Sequence, residues 1–343
     1  MSKKIRVAIN GFGRIGRQAF KIALEKPELE VVGINDLTNN AALAHLLKYD
    51  SNYGIFDHEI TSDEKHIIVD GKSYPVSEEK DPKLLPWKDL EVDVVIESTG
   101  RFTSSELASA HLEAGAKRVI ISAPAKDEGI TKTYVIGVNH DEYTDEAVIS
   151  NASCTTNCVT PVAAVMHANF GIEKAMMTTV HSYTAEQNIV DGPPPGGHAN
   201  DFRRARAGGV NIVPTTTGAA ISATEALPDL KGNFDGMAIR VPTPVGSLTD
   251  FTLLLKKDVT VEEVNDAFKK AATNPIYHGV LVVTDEQVVS SDIVGNPASA
   301  IVDLSFTKVT GGNMVKVLAW YDNEFGYSNR LVEQVVAVGK TLA

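Results

Sequence analysis

The chain has 343 residues, enough for two domains of ordinary size. Its 43% hydrophobic and 22% charged residues exclude the disordered and fibrous classes and leave a folded globular protein. A formal net charge of −12 argues against a nucleic-acid or acidic-membrane partner.

Met1-Ser2-Lys3-Lys4 leads straight into an apolar run, Ile5-Arg6-Val7-Ala8-Ile9-Asn10. No leader pattern and no stretch of 18 apolar residues is seen, so a cytoplasmic protein is expected, with no membrane partner. The apolar run reads as a buried strand. Gly11-Phe12-Gly13-Arg14-Ile15-Gly16-Arg17 follows it, and an amphipathic helix then stops before Pro27. Strand before and helix after give the Gly-x-Gly-x-x-Gly spacing its required context. Such glycines allow a tight turn, close approach of a pyrophosphate and tight helix–strand packing. A second strand, Leu29–Asn35, ends at Asp36. An acid there suits the adenosine ribose hydroxyls and repels a 2′-phosphate, which favours NAD over NADP. Together these features favour dinucleotide binding over a solvated loop aspartate.

Asn40–Lys48 reads as a helix. Residues 66–76 read as a hairpin turning at Asp70-Gly71 in a type I′ turn. Lys80 follows in a polar loop, within reach of an adenine end. Residues 92–98 form another buried strand, opening on Thr99-Gly100-Arg101. A helix is expected over 104–114, and the strand Arg118–Ile121 ends at Ser122. Strands alternating with helices imply a doubly wound parallel sheet, whose ligands bind beyond the strands' carboxyl ends. Asp36, Thr99 and Ser122 fall there.

Ser150-Asn151-Ala152-Ser153-Cys154-Thr155-Thr156-Asn157-Cys158 comes next, between a short apolar run and an apolar pattern at helical spacing. Cys154 is therefore expected at a helix start, where free N–H groups and the helix dipole favour an anion and a thiol ionises more easily. The alternative is a small buried cysteine. The two cysteines, four residues apart, form no disulfide framework and, with no histidine beside them, no metal site. Beyond them, residues 175–180 are strand-like and deliver His181, with Thr184 close behind. Residues 189–210 make a long Pro/Gly-rich surface loop carrying Arg203, Arg204 and Arg206. Pro214-Thr215-Thr216-Thr217-Gly218 offers hydroxyl and N–H groups before another helix. Strands follow over 237–241, 248–256, 279–284, 299–309 and Met314–Tyr321, with one helix over 261–273. A helix over 328–342 ends the chain. This half reads as a mostly antiparallel sheet in an α+β domain. The expected division is 1–152 for the dinucleotide domain, joined by about 320–343, and 153–319 for the catalytic domain. His45, His111, His140 and His167 are read as structural or exposed.

With these residues in place, the chain resembles the phosphorylating glyceraldehyde-3-phosphate dehydrogenase family over essentially its full length. The likeness is carried by Asn10 to Arg17, Ser150 to Cys158, His181, Thr217-Gly218-Ala219-Ala220, Arg240-Val241-Pro242 and Trp320-Tyr321-Asp322-Asn323-Glu324-Phe325-Gly326-Tyr327. The segment Ala152 to Asn157 is specific to this family and its relative, erythrose-4-phosphate dehydrogenase. The resemblance implies Cys154 as nucleophile and His181 as its acid–base partner. It implies that Ser153, Thr155, Thr184, Arg204, Thr217, Gly218 and Arg240 line anion sites for substrate phosphate and inorganic phosphate. Gly11, Gly13, Arg14, Ile15, Gly16, Asp36, Lys80, Ser122 and Asn323 would hold NAD, Asn323 at the nicotinamide amide. It further implies a Rossmann-type fold, a homotetramer and no metal. The expected reaction, placed in glycolysis and gluconeogenesis, converts D-glyceraldehyde 3-phosphate to 1,3-bisphosphoglycerate through a cysteine thioester.

The loop over residues 191–201 is a few residues longer than the family's usual one, which bears on cofactor choice and subunit contacts. Three rival readings stand beside this one. They are the erythrose-4-phosphate enzyme, a thiol acyltransferase or hydrolase, and a non-catalytic NAD-binding redox sensor using Cys154 and Cys158.

Overall fold

The structure is a computed structural model that describes residues 3–127, 129–194 and 200–342. The chain divides into two compact units, Met1–Ala152 with Ser328–Ala343, and Ser153–Tyr327. Residues 195–199 of the lengthened loop lie outside the described residues.

The first unit is built on a nine-stranded sheet among the described residues. Its order is Lys132–Thr133, Val148–Ser150, Arg118–Ile121, Val94–Glu97, Ile5–Asn10, Leu29–Asn35, Lys72–Ser77, His66–Val69, Ile60–Ser62. Pairing is parallel as far as Lys72–Ser77 and antiparallel in the last two strands. Ile5–Asn10 is central, and apolar side chains on both its faces are buried, as a parallel strand requires. The hairpin turns through Asp70 and Gly71, both at positive φ, as a type I′ turn demands. The helix expected over 104–114 is two short pieces, Ser105–Ala108 and Ala110–Glu113. Between them the Ser109 N–H and hydroxyl both donate to the Ser105 carbonyl, at 2.9 and 2.7 Å.

The second unit holds an eight-stranded sheet among the described residues. Seven strands run in the order Val213–Thr216, Phe234–Val241, Ile172–Ser182, Ser247–Leu255, Met314–Tyr321, Ala300–Asp303, Leu281–Thr284, and Lys308–Thr310 pairs with Met314–Tyr321. Two pairs are parallel, Ile172–Ser182 with Phe234–Val241 and Leu281–Thr284 with Ala300–Asp303, and the rest are antiparallel. The strand expected over 299–309 is broken by a turn at Leu304–Phe306, where Asp303 accepts from the Ser305 N–H and hydroxyl. Helix Cys154–Phe170 buries Val159, Val162, Val165 and Met166 in a core with Phe251, Leu253, Val315 and Val317. The chain rejoins the first unit at Ser328, not near residue 320. Strand Met314–Tyr321 is central in the second sheet, and Asp322 accepts from Gly295 N–H at 2.8 Å within the same unit. Asp322 also accepts the Glu324 and Phe325 N–H groups, so the last helix begins at Phe325 and runs to Lys340.

No helix of the described residues is long and apolar enough to cross a membrane. They contain no cluster of three His, Cys, Asp or Glu fit for a metal ion.

Candidate active site

The glycine loop sits where the strand ends bring Asn10, Glu97 and Ile121 into register. Gly11 has φ +94°, and a Cβ there would stand 2.7 Å from the Thr99 nitrogen. A Cβ on Gly16 would fall 2.0 Å from the Gly11 carbonyl oxygen, so helix Arg14–Leu24 can start this close to its strand only with glycine. A Cβ on Gly13 would meet nothing within 4 Å. Gly13 also begins the helix with no side-chain cap, and the first turn holds no acid. An open cradle with uncapped N–H groups fits the pyrophosphate of a dinucleotide. Asp36 accepts from the Phe12 N–H at 2.7 Å and the Thr38 N–H at 2.9 Å, which places its carboxylate against the loop. The Arg14 guanidinium pairs with Asp50 at 2.7 Å and lies over the Tyr53 ring. Arg14 and Ile15 are the first two residues of helix Arg14–Leu24. Ser122 donates its N–H to the Glu97 carbonyl at the next strand end, and Lys80 is exposed.

Cys154 is the first residue of helix Cys154–Phe170. Ser153 caps it by accepting from the Thr156 N–H at 3.0 Å. The turn before it bends at Ala152, whose φ of +56° is uncommon for a residue with a Cβ. The Cys154 Sγ stands 3.4 Å from His181 Nε2. His181 comes from strand Ile172–Ser182, and the parallel register sets it beside Arg240. Two groups crowd His181 Nδ1, the Ser182 carbonyl at 2.7 Å and Arg240 Nη1 at 3.1 Å. Arg240 Nη1 also donates to that carbonyl at 3.0 Å. A guanidinium can only donate, so the short contact to the carbonyl is the one Nδ1–H makes. The lone pair of Nε2 then faces the thiol. Burial pulls the His181 imidazole down to about 3, and Arg240 adds to the effect. Burial likewise pushes the Cys154 thiol up, with the Arg240 charge opposing it. A thiol eased by the helix start alone is therefore corrected. Both shifts favour the uncharged forms, a neutral thiol facing a neutral imidazole.

The anion-binding candidates gather unevenly around this pair. Arg240 Nη1 reaches Thr184 Oγ1 at 3.3 Å. Arg204 is buried and donates to Glu186 at 2.6 Å, Thr215 at 3.1 Å and Asp201 at 3.3 Å. Gly218 begins the helix Ala219–Ala226 without a side-chain cap, and Thr217 Oγ1 accepts from the Ala219 N–H. The Ser153 hydroxyl is spent on its cap, and Thr155 Oγ1 pairs with the Tyr321 hydroxyl at 2.9 Å. Asn323 Oδ1 accepts from Gly246 N–H and Ser247 Oγ, which leaves its Nδ2 as the donor end.

Four participants have roles that the linear sequence did not assign. Ser182 supplies the carbonyl for His181. Ser247 links Asn323 to the Ser182 N–H. Tyr321 bonds Thr155 and Thr179 and meets the His181 ring edge-on. Glu186 holds Arg204. Each depends on strand register, which spacing in the chain does not reveal.

Comparison with known proteins places the chain in a family. The family model described as glyceraldehyde 3-phosphate dehydrogenase, NAD binding domain, matches residues 5–105, and that of the C-terminal domain matches residues 153–323. The glyceraldehyde-3-phosphate dehydrogenase of Streptomyces coelicolor is 54% identical over 341 residues, covering 98% of this chain and 99% of that protein. That of Geobacillus stearothermophilus is 54% identical over 331 residues, 96% of each. Glyceraldehyde-3-phosphate dehydrogenase 1 of Bacillus subtilis is 52% identical over 338 residues, 98% of each.

Proposed function

The chain belongs to the glyceraldehyde-3-phosphate dehydrogenase family and is an NAD-dependent oxidoreductase, and from that premise we propose how its residues divide the work. The reaction is oxidation of glyceraldehyde 3-phosphate with capture of the acyl group by inorganic phosphate. Cys154 is the nucleophile. His181 Nε2 takes the thiol proton, and the imidazolium keeps its Nδ1–H on the Ser182 carbonyl. Sulfur bonds to the aldehyde carbon while the carbonyl pair moves to oxygen, where the Cys154 N–H and His181 Nε2–H stabilise it. The Gly11–Gly16 loop and Asp36 would hold NAD, with Asn323 the candidate for its amide, and NAD would supply the two-electron acceptor. The hemithioacetal on Cys154 becomes a thioester as its C–H electron pair departs. Phosphate then attacks the acyl carbon, the Cys154 thiolate leaves, and an acyl phosphate is released. Arg240 and Arg204, with Thr184 and Thr217, suit the two phosphate dianions.

The observation that carries this reading is the 3.4 Å contact of Cys154 Sγ with His181 Nε2, with Nδ1 tied to a carbonyl. NADH absorbance with glyceraldehyde 3-phosphate, NAD and phosphate tests it, with phosphate omitted and NADP substituted in parallel. Absence of NADH in the complete mixture overturns it. A cytoplasmic homotetramer fits the same reading. Ile189, Val190, Phe202, Val210 and Ile212 are each more than 70% exposed, an apolar surface suited to further copies of the chain. Light scattering of the purified protein reads the assembly.

A further inference from the structure

A buried polar cluster lies beneath the glycine loop, apart from the chemistry of Cys154. Asn10, Asn35, Glu97, His111 and Trp87 are each less than 5% exposed. Glu97 Oε1 accepts the Thr99 N–H at 2.8 Å and the Thr99 hydroxyl at 2.5 Å. Its Oε2 accepts from Asn10 Nδ2 at 2.5 Å and lies 2.9 Å from His111 Nε2. Trp87 Nε1–H, a donor only, stands 2.9 Å from His111 Nδ1. His111 Nδ1 is thus an acceptor, and its ring proton sits on Nε2 and is donated to Glu97. Each carboxylate oxygen receives two donors, which fills all four of its acceptor positions. Asn10 Oδ1 in turn accepts from Asn35 Nδ2 at 2.7 Å, and Asn35 exchanges bonds with the backbone of Glu79.

Three of the members stand at strand ends. Asn10 precedes Gly11, Asn35 precedes Asp36, and Glu97 precedes Ser98 and Thr99, whose backbone crowds Gly11. Apolar side chains would fill the space at less desolvation cost. What they would lack is an acceptor that ties the three ends together.

We propose that Glu97, oriented by His111, is a positioning residue for NAD, locking three strand ends so that the Gly11–Gly16 loop and Asp36 keep the arrangement that receives the dinucleotide. This rests on the reading of that loop as the NAD site. Glu97→Gln tests it, because the amide keeps the volume but turns one end into a donor facing two donors. Calorimetric titration of the apoprotein should show the NAD dissociation constant rising about tenfold or more. KM for NAD should rise with it. KM for the aldehyde and the rate of Cys154 alkylation without NAD should stay unchanged, which a general structural defect would not spare. His111→Phe should weaken NAD similarly. His111→Gln, whose amide can accept from Trp87 and donate to Glu97, should restore most of the loss. Folded Glu97→Gln protein that binds NAD within about twofold of the unmutated chain overturns the proposal. Should Glu97→Gln not fold, equal NAD affinities for His111→Phe and His111→Gln overturn it. Failure of the unmutated chain to bind NAD would instead overturn the reading of the site.

Discussion

Two helix starts carry the chemistry, and they are finished in opposite ways. Helix Arg14–Leu24 begins at Gly13 with no side-chain cap and no acid in its first turn. Helix Cys154–Phe170 begins at Ser153, whose hydroxyl takes the Thr156 N–H. The first, with no side chain on its N-cap, suits an anion from outside. The second ties the Thr156 N–H to its own cap and uses its first position to present a thiol. An uncapped start reads as a ligand site and a capped one as a mount for a side chain. Substitutions at each should therefore fail in different ways.

The largest effect belongs to Cys154→Ser. A serine hydroxyl does not ionise at neutral pH, so turnover should fall by a factor on the order of 10⁴ or more. NAD binding by calorimetry should not change. Cys158 is buried one helical turn on, and burial pushes its thiol up, so Cys158→Ser should keep its turnover. The reverse pattern in a steady-state assay would move the nucleophile to Cys158.

Next comes His181→Asn. Loss of a positioned base costs roughly 10²- to 10⁴-fold in kcat. The pH dependence sharpens the point. Burial raises the Cys154 thiol, so without its imidazole partner the thiolate forms only at higher pH. Iodoacetamide should then alkylate the variant more slowly near neutral pH and recover as pH rises. An unshifted alkylation profile would show that the pair does not ionise together.

The same contrast explains what was legible in the sequence. The dinucleotide cradle is local. Gly11, Gly13, Gly16 and Asp36 lie within 26 residues, and each spacing has one physical meaning. The thiol's place at a helix start was legible for the same reason. Its partners were not, because His181 and Arg240 meet through the register of a parallel strand pair 59 residues apart in sequence. Their roles came from the resemblance. Burial, which decides how Cys154 and His181 titrate, has no local signature. His111 shows the limit most clearly. Read as a lone structural histidine, it stands in a closed network that only Trp87 and Glu97 together reveal. The turn at Leu304–Phe306 was hidden too, since a side chain bonding the backbone looks ordinary in sequence.

Asp36→Ala should have a smaller, selective effect. The unmutated protein should favour NAD over NADP by about 30-fold, since a 2′-phosphate would have to sit against this carboxylate. Arg204 and Arg206 are engaged by Glu186 and Asp191. The ratio of kcat/KM for the two cofactors should shrink toward unity in the variant. Equal ratios in the unmutated protein would mean that the carboxylate does not set the preference.

The smallest effect separates the two helix starts most directly. Ser153→Ala deletes a cap, which costs about 1 kcal/mol and lowers Tm by about 2–4 °C in a unit of this size. Because that hydroxyl is turned to its own helix, NAD affinity should hold. Gly13→Ala is the mirror experiment. It deletes no cap, and its φ of −72° is one that alanine adopts easily, so Tm should hold. Its methyl group, however, enters the open space of the cradle, so the NAD dissociation constant should rise. Paired melting curves and NAD titrations on the two variants read both quantities. If Ser153→Ala loosened NAD while Gly13→Ala lowered Tm, capping would not distinguish a ligand site from a mount, and the contrast between the two helix starts would fall with it.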